Sequence, residues 1–243
     1  MKSLFFKILL LGLPSVLFAQ SKTVFPKTNH PFIVEESYLG KGKEGPPTQA
    51  HQYLKESWVG LGRYRSECCE PSLNDSSGMV TCSSQDGKTL QATVLKTSPA
   101  SREKTMFNFD VVVKIDGKSA YSFRAVESPV QNSPVLHACW RGRDWILEYR
   151  DHVVINGMDL GRQLGYKRVS FYRFIRGRPI FFIDKGKKTV LSLDGNISAY
   201  EYDYVIRYGC CEEGLWSAGS DGEKVWFVGR KGDDWYFVKV IPR

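Results

Sequence analysis

The sequence predicts an all-β domain of antiparallel meander repeats, and three observations predict it. Aromatic residues reach 13% and glycines number 22 in a chain of 243 residues, a composition suited to short strands and tight turns. Apolar runs of five to seven residues are broken by Gly-containing turns rather than by helix caps. One strand–turn–strand pattern then recurs along the chain. A β-sandwich of the same meanders is the alternative architecture.

The amino end reads as a secretory signal. Lys2 and Lys7 flank the start of an uncharged apolar stretch, Ile8 to Phe18, and Ala19 is a small residue ahead of a cleavage point. That stretch carries Gly12 and Pro14 and is too short to cross a bilayer comfortably. Residues 1–19 are therefore expected to be removed, which places the protein in the periplasm or outside the cell. Removal takes two lysines from a formal net charge of +8. The remaining basic excess favours anionic partners, and export argues against nucleic acid. No later apolar run reaches spanning length.

Residues 20–57 are rich in Lys, Gly, Pro and Thr and end near GKGKEGPPTQ, which predicts a flexible N-terminal arm. From Trp58 to Arg243 the chain reads as a β-repeat domain. Three segments share an apolar strand, a basic turn with glycine, and a second strand: PVLHACWRGRDWILEY, PIFFIDKGKKTVLSL and KVWFVGRKGDDWYFVKV. Their turn glycines, Gly142, Gly186 and Gly232, are 44 and 46 residues apart. Asp116-Gly117, Asn156-Gly157 and Asp194-Gly195 supply further tight-turn signals. A diverged first copy spans MVTCSSQDGKTLQATVL. These landmarks divide the domain into units near 58–117, 118–157, 158–195 and 196–243.

Repeats of about 40 residues, each a small sheet unable to bury its faces alone, are the pattern of propeller blades. On these turn and strand motifs the sequence resembles β-propeller-type repeat proteins, and the resemblance implies a small propeller-like domain. The vicinal cysteines and the WYFV element also look like those of uncharacterised exported bacterial proteins.

Six cysteines, Cys68, Cys69, Cys82, Cys139, Cys210 and Cys211, are disulfide candidates in an exported chain. Bridges between the two vicinal pairs would staple the ends of a ring; a local Cys69–Cys82 bridge is the alternative. A strained vicinal disulfide would suit a redox role. His137 and Cys139, two apart on a predicted strand, share a face, but further metal ligands are not evident, and no metal or cofactor is implied. His152 reads as a strand-edge residue, and Asp144, Asp233 and Asp234 as turn chemistry. Nucleophile elbows, zinc-protease motifs and phosphate loops are missing from the sequence.

The most suggestive distributed feature is cationic. Arg141 and Arg143, then Lys185, Lys187 and Lys188, then Arg230 and Lys231 flank the basic turns of successive units. Hairpins emerging on one side would gather them into a rim for an anionic glycan, a lipid headgroup or an acidic protein. Trp145 and Trp235 follow these turns and are expected to pack equivalently, while Trp216, in a turn-rich insertion, is the candidate exposed aromatic. The function expected is non-catalytic binding at the cell envelope or beyond. An exported hydrolase with a site between repeats and a thiol redox or metal-binding protein are the alternatives.

Overall fold

The structure is a computed structural model that describes residues 21–24, 32–43, 45–47, 72–74, 77–99, 107–127, 134–207 and 218–243. The signal segment, Cys68, Cys69, Cys210, Cys211 and Trp216 lie outside the described residues. Strands β1 (Ser21–Val24) and β2 (Phe32–Lys41) come first. A first meander holds β3 (Ser72–Asn74), β4 (Ser77–Ser83), β5 (Thr89–Pro99), β6 (Phe107–Ile115) and β7 (Lys118–Glu127). The second holds β8 (Val135–Arg141), β9 (Asp144–Tyr149), β10 (His152–Ile155) and β11 (Met158–Asp159). A short helix α1 (Leu160–Leu164) leads to β12 (Val169–Ile175), β13 (Arg178–Lys185), β14 (Lys188–Leu193) and β15 (Asn196–Tyr202). The last group is β16 (Tyr204–Ile206), β17 (Gly219–Ser220), β18 (Val225–Lys231) and β19 (Asp234–Pro242).

These strands form four antiparallel sheets, so the all-β meander expectation holds. Turn chemistry explains the regularity. At Asp116-Gly117, Asn156-Gly157 and Asp194-Gly195 both residues have positive φ, between 49° and 83°, the two-residue turn whose twist matches that of the strands it joins. In each, the Asp or Asn backbone N–H donates to a carbonyl in the sheet's second full-length strand: Thr89, Trp145 or Pro179, at 2.8–3.0 Å. This repeated bond also corrects the unit boundaries. A tight hairpin keeps both its strands in one sheet, so β7, β11 and β15 belong to the preceding unit rather than opening the next.

Sheets pack face to face in chain order. Val80, Leu90, Val94 and Val111 of the first meet Val135, Leu147 and Val154 of the second. On the second sheet's other face, Cys139, Ile146 and Val153 meet Val169, Phe181 and Ile183 of the third. The third sheet turns Ile180, Phe182, Leu191 and Leu193 towards Phe32, Val34, Phe227 and Val238 of the fourth. This explains two sequence textures. The first sheet, which among the described residues packs on a neighbouring sheet by one face, alternates along β5: Leu90, Ala92 and Val94 are buried between less buried neighbours. The third, covered on both faces, shows the continuous apolar run Ile180–Ile183. Such face-to-face packing is common to the propeller-like and sandwich expectations.

The fourth sheet corrects the flexible-arm expectation. Residues 32–41 form a strand paired with β19 along its length, Phe32 opposite Pro242 and Lys41 opposite Asp234. Phe32 and Val34 are fully buried. Past the strand, Gly42 N–H donates to the Asp233 carbonyl at 2.9 Å, and the Trp235 indole donates to Gly42 O at 2.8 Å. The glycine- and lysine-rich composition concealed this docking because Glu36, at an inward position, breaks the apolar alternation. Its carboxylate is satisfied inside: Tyr202 Oη donates to it at 2.7 Å and Lys231 Nζ pairs with it at 2.5 Å. Gly229 makes room for that tyrosine, since a Cβ there would lie 2.6 Å from the Tyr202 ring. Burial, and then the Glu36 carboxylate, hold the Tyr202 phenol well above its ordinary pKa.

A buried charge ties the second sheet to the third. Glu148 is completely buried and accepts from the Phe171 backbone N–H and, at 2.7 Å, from Arg173 Nη1. Phe171 sits at φ 55°, in the irregularity that shifts the β12–β13 register. For a bulky residue that backbone region is strained, and the carboxylate–amide bond helps hold it there.

If β2 is integral to the cooperative unit, Phe32→Ala should cost roughly 3–5 kcal/mol. Urea unfolding reads this as a lowered midpoint at an unchanged slope. A midpoint equal to the unaltered protein's would show β2 to be an accessory.

Candidate functional site

The basic residues expected on one rim divide between two ends of the fold. Arg141 and Arg143 flank the turn between the first and second strands of the second sheet, β8 and β9. Lys185, Lys187 and Lys188 flank the turn between the second and third strands of the third sheet, β13 and β14; Arg230 and Lys231 flank the β18–β19 turn. Successive turns of an antiparallel meander lie at opposite ends of the sheet. The contacts agree. A Cβ on Gly177 would lie 3.0 Å from Arg141 Nη2, so the Gly142 turn adjoins the Gly177 turn. Eight residues of β13 separate that turn from the Lys187 end, roughly 25 Å of extended chain. The single cationic crown is therefore not formed: motif likeness aligned turns that differ in strand parity.

Several of the seven cations also have internal partners. Arg141 lies over the Phe174 ring, 4.7 Å from its centroid. Lys188 pairs with Asp203 at 2.5 Å, Lys231 with Glu36, and Arg230 Nη1 donates to the Lys43 carbonyl at 2.6 Å. Arg143, Lys185 and Lys187 are exposed.

At the Lys187 end the structure opens a cleft of about 380 Å³. Three sheets contribute to it. The β9–β10 turn brings Asp151, the approach to β12 brings Arg168, and the β13–β14 hairpin brings Asp184, Lys187, Lys188 and Thr189. The start of the fourth sheet adds Asp203, Tyr204 and Arg207. The floor is a charge network. Arg207 Nη1 donates to Asp151 at 2.9 Å, while its Nη2 pairs with Asp184 and donates to Thr189 Oγ1 at 3.0 Å. Arg168 Nη1 lies 3.4 Å from Asp151 and 3.9 Å from Asp184. Burial works against the Arg207 charge, but the hydrogen bond and charge of Asp184, with help from Asp151, more than offset it and raise its pKa. Asp203 is held below the ordinary carboxylate range, first by Lys188 and then by the Gly232 backbone N–H at 2.6 Å.

Four cations against three carboxylates leave the cleft one positive charge in excess. Among the described residues Lys187 is the cation of this set with no ion-pair partner. The sequence reading found Lys187 and Lys188 but missed Arg168, Arg207, Tyr204 and the three aspartates. Their one local signal is position, each standing where an apolar run gives way to a turn or link.

The other candidates that fall on described residues are placed as follows. Cys82 and Cys139 are buried, and Cys82 Sγ donates to the Ala138 carbonyl at 3.2 Å; no disulfide joins described residues. His137 and Cys139 do share a strand, with His137 opposite Glu148. No group of three or more metal-ligating side chains occurs among the described residues. His152 Nδ1 lies 2.8 Å from Asp159, which also caps α1 by accepting from Arg162 N–H. Asp144 accepts from the Asn156 side-chain amide at 2.6 Å, which is turn chemistry. Trp145 and Trp235 are not equivalent. Trp145 packs between the first two sheets, whereas Trp235 packs with Trp226, Val228 and Leu39 on the fourth. They follow turns of different parity, which is the same cause that divides the rim.

No family model, curated protein or solved structure matches the chain. No helix among the described residues is long and apolar enough to cross a membrane.

The Lys188–Asp203 pair carries a pH signature. A carboxyl whose folded pKa lies below its ordinary 3.8 contributes stability at pH values above that number and loses it as pH falls through the lower folded value. Lys188→Met should therefore weaken the dependence of unfolding midpoint on pH below about 3.8. Identical acid limbs for the two proteins would show that the pair contributes nothing.

Proposed function

We propose that the protein is an exported, non-catalytic binding domain that takes an anionic ligand in the cleft between its second, third and fourth sheets. One observation carries this reading: a built cleft with a positive excess, whose unpaired Lys187 stands exposed at its rim. Export rests on the Lys2, Lys7 and Ile8–Phe18 pattern of the amino end.

The state of the carboxylates supports binding over hydrolysis. A general base must take up a proton, which a carboxylate ion-paired with a guanidinium or ammonium group resists. Asp151 and Asp184 are committed to Arg207 and Arg168, and Asp203 to Lys188. Such pairing suits a fixed electrostatic surface and opposes proton transfer. The internal network also holds Arg207 rigid, so a ligand meets an arrangement already in place, which lowers the entropic cost of binding.

The two ends of the sheets provide their own control. Lys187→Glu turns the net charge of the cleft negative and should weaken binding of inorganic phosphate or citrate roughly tenfold, followed by NMR shift titration at low salt. Arg143→Glu, the same charge change at the far end, should leave that affinity unaltered. Equal losses in both variants would assign the effect to overall charge and overturn the cleft. Circular dichroism and thermal midpoints check that both remain folded.

A further inference from the structure

The cleft wall contains a feature that anion binding alone does not require. Tyr204 lines the cleft and is 51% exposed, one of the most exposed large apolar side chains described. It is not loose. Its ring stands edge-on against Trp235, with centroids 6.1 Å apart and planes at 84°. Trp235 is itself buried and anchored through its indole N–H to Gly42 O. Next to Tyr204 in the chain, Asp203 accepts one bond on each oxygen, from Lys188 and from Gly232 N–H, and a carboxylate oxygen can accept more than one.

A fixed aromatic face, a carboxylate acceptor and a cation together match one ligand chemistry. A pyranose ring presents C–H groups that pack on an aromatic face, hydroxyls that donate to carboxylates, and, in a uronic acid, one carboxylate for a cation. A single positive excess is enough for the one carboxylate of a uronate, and the aromatic face is what separates it from smaller anions. An inorganic ion has no use for a ring, and among the lipid headgroups the common anionic ones carry no pyranose to stack on it.

We infer that the cleft is a subsite for one uronate residue of an acidic polysaccharide, its ring against Tyr204 and its carboxylate on Lys187 with Arg168. This rests on the anion-binding reading above and goes beyond it by naming the ligand class. The excess charge would be neutralised on binding, so affinity should fall with added salt, while the ring contact should not.

The test uses the full mature chain, with trigalacturonate, the neutral maltotriose, inorganic phosphate and phosphatidylglycerol vesicles as probes in calorimetry and NMR titration. Trigalacturonate should bind at least tenfold more tightly than maltotriose. Tyr204→Ala should lose roughly tenfold for trigalacturonate and leave phosphate unchanged; Tyr204→Phe, which keeps the ring, should retain trigalacturonate affinity. Because Tyr204 is exposed, an unaltered circular dichroism spectrum is expected of both variants, and Tyr204→Phe remains informative should the alanine variant unfold. Trigalacturonate affinity within twofold of wild type in Tyr204→Ala overturns the inference. So does Lys187-dependent binding of vesicles or phosphate without trigalacturonate, a result that leaves the anion-binding reading standing. Absence of any Lys187-dependent anion binding removes both.

Discussion

No sheet in this protein keeps water from its own apolar residues. A meander of four short strands has two faces and almost no interior, so each depends on a neighbour laid against it. The core is accordingly not one body but a series of layers. Val94 and Leu147 belong to the first layer, Ile146 and Phe181 to the second, Phe182 and Phe227 to the third. Adjacent residues on one strand serve different layers, as Ile146 and Leu147 do. A change in one sheet is felt on both of its sides, and the stack gains its stability from the contacts between units more than from the hairpins.

The same stacking generates the cleft. Strand ends of three sheets converge where the β9–β10 turn, the β13–β14 hairpin and the entry to β16 meet, and each brings a charged residue because chain reversals there meet solvent. Arg207 is then caught between aspartates from two different sheets. What began as solvated turn chemistry becomes a partly buried network spanning three units. The network is a by-product of packing, and the leftover lysine gives the cleft its positive sign.

Much of the fold was legible in the sequence. Asp-Gly and Asn-Gly turns at 116, 156 and 194 identified hairpins because only a few residues tolerate the left-handed backbone those turns require. The apolar run at 180–183 marked a strand, and the structure shows why it is continuous: both of its faces are covered. The strand at 32–41 was not legible, since its inward Glu36 finds a tyrosine and a lysine that lie more than 160 residues away. Nor was the division of the basic turns. Glycine and lysine say that a hairpin exists but carry no count of how many strands came before it, and one strand more or less sends a turn to the opposite end. The cleft was hidden for a related reason. Asp151, Arg168, Asp184, Asp203 and Arg207 share no motif, and only the stacking order of three sheets makes them neighbours.

The fourth sheet unites segments far apart in the sequence, with Phe32–Lys41 lying between Ser21–Val24 and Asp234–Pro242. Phe32–Lys41 precedes its partner by nearly the whole described chain, so Phe32 and Val34 reach full burial only once Asp234–Pro242 lies beside them. A copy cut before Asp234 leaves Phe32 and Val34 without the strand that pairs with theirs on that side, a mark by which proteases and chaperones can tell it apart.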